Sequence, residues 1–136
     1  MKLKFILFMS LIMGANNAFA GSVLDNEASR SKILAERKKL SACLVKHVQQ
    51  EVINTQKAPT KIASEAVELC SDYFKSVEDV NLDAFRATYS EPDYDDIVAW
   101  LEAMKEGNIF KSKNIMLGEM AATVILLRKK QARDNQ

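Results

Sequence analysis

The sequence predicts an all-α fold, a small bundle of four or five helices built on a disulfide-linked helical hairpin. Three observations carry that expectation. Apolar residues recur at helical spacing in four separate stretches, and nothing between residues 21 and 136 alternates as a strand would. The two cysteines, Cys43 and Cys70, lie at nearly equal distances from a break at Gln56-Lys57-Ala58-Pro59. Helices folded back at that break would bring both sulfurs to one level, about 20 Å from the turn at 1.5 Å per residue.

The first helix is expected to begin between Asp25 and Ser31, where Asp25, Asn26 and Ser29 are all suitable N-caps. Ile33, Leu40, Leu44, Val48 and Val52 then mark one face, with Cys43 and His47 at its edge. The pattern fades at Asn54-Thr55-Gln56. Pro59 suits the first turn of the next helix, where its missing N–H costs nothing. Ile62, Ala66, Leu69, Cys70, Tyr73 and Val77 form the expected buried face of this second helix.

Around Glu78 to Asn81 the periodicity weakens, and Asn81 is placed to cap a short helix holding Leu82, Phe85 and Tyr89. Ser90-Glu91-Pro92 marks a clearer break. Beyond it Asp93, Asp95 and Asp96 stand where a helix dipole favours negative charge. Ile97, Val98, Leu101 and Met104 are the expected buried face, and Gly107 the expected stop. A final helix is expected from Ser112 to Gln131, with Ile115, Met116, Met120, Val124 and Leu127 on one face. Leu117, Ala121, Ile125 and Leu126 widen that stripe, and Arg128-Lys129-Lys130 complement the C-terminal dipole.

Residues 1–20 read as a cleaved secretory signal. Lys2 and Lys4 precede an apolar run from Phe5 to Met13, and Ala18-Phe19-Ala20 offers small residues at a cleavage site. The run is shorter than the roughly 20 residues a spanning helix needs. Cleavage after Ala20 leaves residues 21–136 as a single helical domain, exported and, in a bacterial envelope, periplasmic. Loss of Lys2 and Lys4 leaves 17 basic against 18 acidic residues. The near balance conceals a pattern: residues 21–61 are basic, residues 62–106 hold 12 acidic and 3 basic groups, and residues 107–136 are basic again. Such a layout neutralises itself within one fold or steers an oppositely charged partner.

In an exported chain Cys43 and Cys70 are expected to oxidise to each other. A redox-active pair would usually sit two residues apart at a helix N-terminus. His47, the only histidine, is one turn beyond Cys43 and has no third ligand or nucleophile beside it. The acidic group is not a calcium loop. Counted from Asp93, positions 6 and 12 are Val98 and Met104, where an EF-hand needs glycine and glutamate. No catalytic constellation, metal site or cofactor is therefore expected.

The expected role is that of a non-enzymatic periplasmic binding protein, such as an inhibitor, an immunity factor or an assembly accessory. Asp93, Tyr94, Asp95, Asp96 and Trp100 are the candidate partner surface, because aromatics beside charge suit an interface. Its partner is expected to be another envelope or secreted protein. Export argues against nucleic acid, and no transmembrane segment is expected in the mature chain. The alternative is a small envelope hydrolase or metal-handling protein using His47 or the Asp93, Asp95 and Asp96 group. That reading requires these groups to converge in one pocket.

Overall fold

The computed structural model describes residues 26–88 and 95–135. Among these residues there are four helices and no strand: α1 (Glu27–Asn54), α2 (Pro59–Leu69), α3 (Ser71–Thr88) and α4 (Asp95–Asp134). The expected leader (1–20), Tyr89 and the Ser90-Glu91-Pro92 break lie outside the described residues.

Local chemistry sets the first boundaries as expected. The Asn26 carboxamide oxygen accepts from the backbone N–H groups of Ala28 (3.1 Å) and Ser29 (3.4 Å), so two otherwise orphaned donors at the start of α1 are satisfied. α1 ends at Asn54. The Thr55 hydroxyl and backbone N–H both donate back to the Glu51 carbonyl. Pro59 opens α2. Across this turn Lys57 reaches Glu51 (2.9 Å) and Glu65 (2.8 Å), joining the two helices on the surface.

The disulfide forms as predicted. Cys43 and Cys70 are bonded, their Cα atoms 6.0 Å apart, and Cys70 is fully buried. One consequence escaped the periodicity. The second helix does not continue through residue 77 but breaks at Cys70, whose carbonyl accepts from the Tyr73 N–H in a tighter, three-residue turn. The buried face runs through Val67, Cys70 and Phe74. Leu69 and Tyr73, expected inside, are exposed, while Phe74 is 3% exposed and sits in the core.

α1 and α4 run in the same direction and the α2–α3 segment runs opposite to both, with α2 packing most extensively on α4 and α3 on α1. The main core joins Leu40, Leu44, Val48 and Val52 of α1 with Ile62, Ala63, Ala66 and Val67 of α2. Phe74 closes it from α3, and Ile109, Met116, Met120 and Val124 from α4. A smaller cluster of Ile33, Ala84 and Phe85 lies towards the start of α4. Between the two, on the same stripe of α1, Arg37 is half-buried, and its burial lowers its pKa from the usual arginine range.

Two expected interruptions are absent, for one shared reason. α3 runs straight through Asn81, and α4 runs 40 residues, roughly 60 Å, through both Gly107 and Gly118. No glycine among the described residues has positive φ, so Gly107 does not act as a helix stop. Cross-helix ties hold both segments where local propensity is weak. Asn108 donates to Glu78 (2.8 Å), Lys113 to the Ser71 hydroxyl (2.6 Å), and Lys105 pairs with Asp79. Ile109 is buried in the middle of them. Packing of this kind routinely outweighs the propensity of one glycine. Among the described residues no helix is long and apolar enough to cross a membrane.

Candidate functional site

The start of α4 is the one place where predicted site residues lie side by side. Asp95 and Asp96 form its first turn and are exposed, with the dipole favouring their charge. Trp100 follows one turn later at 55% exposure, flanked on the same face by Ile97 (40%) and Met104 (42%). Ile97 and Met104 were expected inside. They point outward because Val98 and Leu101 supply the half-buried face at this end of the helix. Asp93 and Tyr94, the other two members of the predicted surface, lie outside the described residues.

Polar ties join the apolar cluster at this end of the bundle. Arg86 pairs with both Asp83 (3.0 Å) and Glu102, and Lys105 with Asp79. Those acidic groups are already matched. Among the described residues neither Asp95 nor Asp96 takes part in an ion pair. The result is a solvent-facing strip of aliphatic, aromatic and thioether surface with two carboxylates at its head. Such a strip suits an interface: a flat aromatic contributes area at little entropic cost, and rim charge sets orientation.

The other candidate groups do not join it. His47 sits two turns before the end of α1, near enough to Glu65 to help Lys57 and Lys61 hold that carboxyl below its usual range. The Thr55 carbonyl accepts from Arg128 (3.0 Å), which places residue 47 of α1 level with about residue 120 of α4. Asp95 and Asp96 are then roughly 35 Å from His47 along the bundle axis. The convergence that a hydrolase or metal-handling site would need is not formed by these residues. Among the described residues no three histidine, cysteine, aspartate or glutamate side chains cluster closely enough to hold a metal ion.

Sequence reasoning missed one polar group. Glu119 interrupts the most apolar stretch of the chain, and the fold draws it partly inside. Its Oε2 is closed off from solvent with no hydrogen-bond donor among the described residues, as is His47 Nε2. Desolvation raises the Glu119 pKa above the ordinary 4.5. The folded chain thus holds this proton more tightly than the unfolded chain does. Its effect on stability is most favourable below about pH 4.5 and declines as pH rises through the window up to the raised value. Glu119→Gln keeps the shape and removes the charge. Its stability advantage over the parent should therefore grow across that window and then level off. Thermal midpoints of both proteins between pH 4 and 8 check this; a constant difference would show that Glu119 is fully solvated.

Comparison with protein-family models, with curated proteins and with solved structures returns no match. The chemistry of the site rests on this chain's own residues.

Proposed function

We propose that this chain is an exported, non-enzymatic binding protein of the bacterial envelope, held in the periplasm, whose working surface is the outward face at the start of α4. The observation that carries the reading is the exposed Ile97, Trp100 and Met104 strip headed by Asp95 and Asp96. The leader-like residues 1–20 support export, and the Cys43–Cys70 link is of the kind an oxidising compartment preserves. An acidic head and an apolar strip call for a partner surface that is basic and apolar, on another envelope or secreted protein. Inhibitor, immunity factor and assembly accessory are all roles of this kind.

Charges at the edge of an interface act mainly on the association rate and are screened over about 8 Å at physiological salt. Changing Asp93, Asp95 and Asp96 together to asparagine should slow association with a captured basic partner and flatten its salt dependence, with less effect on dissociation. Asparagine still serves at a helix start, so the accompanying stability loss should not exceed about 1 kcal/mol. Stopped-flow or surface-based kinetics at several salt concentrations, with a melting curve of the same variant, decide the matter. Association that is indifferent to the three substitutions would leave the acidic head as a solvated helix end and remove the basis for this reading.

A further inference from the structure

The apolar strip at the start of α4 does not stop at Met104. Following the same outward line in steps of three and four residues leads from Ile97, Trp100 and Met104 to Gly107, all exposed. After Lys111 and Asn114 the line continues through Gly118, Ala122 and Ile125, again exposed, and passes Lys129. Steps of three and four are the spacing of a coiled-coil seam, here on the side of α4 that faces away from its own bundle. The bundle already occupies the opposite side of the helix through Ile109, Met116, Met120 and Val124. A β-carbon added at Gly107 or Gly118 would meet nothing within 4 Å, so packing within one chain does not account for either glycine.

Charge selects the occupant of this seam. On the outward face of α4 Asp96 stands at one end, and Lys129 and Arg133 stand at the other, all three exposed. One face of one helix therefore presents an acidic apolar end and a basic apolar end. A second copy laid antiparallel matches each end with its opposite and opposes the helix dipoles favourably. A parallel copy would place like charges together at both ends.

We infer that α4 pairs with α4 of a second copy of this chain, antiparallel and centred near Asn114, to form a two-fold dimer. The inference rests on the reading of this face as a protein-binding surface and names its occupant. With residue numbers in facing pairs adding to about 229, Met104 meets Ile125 of the partner subunit and Gly107 meets the partner's Ala122. The small pair lets the two backbones approach closely. Trp100 meets the partner's Lys129, an ammonium over an indole ring. Asp96 meets the partner's Arg133, and Lys111 lays its stem over the partner's Gly118. The two-fold repeats every pair, as an isologous interface requires.

Cysteine cross-linking of the purified protein tests the register. Residues 104 and 125 are about 31 Å apart along one straight helix and cannot be joined within a chain. Mixing Met104→Cys protein with Ile125→Cys protein should give a disulfide-linked dimer under mild oxidation, and neither variant alone should. Sedimentation of the unsubstituted protein should show twice the chain mass. Gly107→Leu, whose side chain enters open space in the single chain, should keep the melting behaviour of the fold. It should weaken dimerisation about tenfold or more, the scale of overpacking a close contact. A monomer at all accessible concentrations overturns the dimer, as does cross-linking by Met104→Cys alone. A monomer that still binds a basic partner through Asp95 and Asp96 overturns the dimer while leaving the binding reading intact. Loss of both means the face binds no protein.

Discussion

Replacing Cys43 with alanine, together with Cys70→Ala to avoid a stray thiol, is expected to lower the stability of the fold by about 2–5 kcal/mol. The two sulfurs are 27 residues apart in sequence, and closing a loop of that size restricts the unfolded chain by roughly 3.5 kcal/mol in the entropic account. The location adds to the effect. Cys70 is fully buried at the break between α2 and α3, touching the main core, and the bond ties that break to the middle of α1. Without it the break is held by the packing of Val67 and Phe74 and by the Lys113–Ser71 hydrogen bond. Chemical denaturation of the parent and the doubly substituted protein measures the difference. A loss below 1 kcal/mol would mean that packing alone orients the break. A larger slope against denaturant in the variant would instead locate the effect in a more expanded unfolded state.

Phe74→Ala is expected to cost about 3–5 kcal/mol, the range for truncating a buried aromatic, whereas Leu69→Ala should change stability by no more than about 0.5 kcal/mol. The contrast separates two registers of the second and third helices. The face expected from the sequence places Leu69 and Tyr73 inside. Leu69 is instead 67% exposed, and Phe74, one turn beyond Cys70, is buried. Alanine at 74 would leave a cavity beside the disulfide, with walls fixed by three helices and little room to collapse. Urea unfolding of the two variants, run together, gives the answer. Equal losses, or a greater loss at Leu69, would contradict a buried face that runs through Cys70 and Phe74.

The outward seam of α4 bears on why the molecule is built around so long a helix. α1 extends about 42 Å and α4 about 60 Å, so α4 passes beyond the turn at residues 55–58. Arg128 is level with Thr55, so the last turn of α4, with Arg133, extends past the end of α1. In an antiparallel dimer that projection reaches the acidic head of the second copy. Glycine at 107 and 118, unfavourable for an isolated helix, then has a place in an assembly that a single chain does not provide.

Much of this architecture is legible from the residues alone. The stripe Ile33, Leu40, Leu44, Val48 and Val52 is both predicted and buried, because a 28-residue amphipathic helix repeats its pattern often enough to be read without a partner. Asn26 and Pro59 mark helix starts by local hydrogen-bonding chemistry, and the cysteine pairing follows from equal distances to a turn. Each of these is decided within a few residues or by simple symmetry.

What only the tertiary structure decided concerns direction and continuity. Gly107 and Asn81 carry local signals for a stop and a cap, yet both lie inside helices, because Ile109, Asn108 and Lys113 are held by α3 and the core across the bundle. Ile97 and Met104 have the spacing of a buried face and are exposed, because the neighbours at that end already pack against Val98 and Leu101. A one-dimensional pattern states that a face is apolar. Whether that face turns to its own core or to solvent depends on which other helices arrive there. Contacts between residues dozens of positions apart in the sequence determine that outcome.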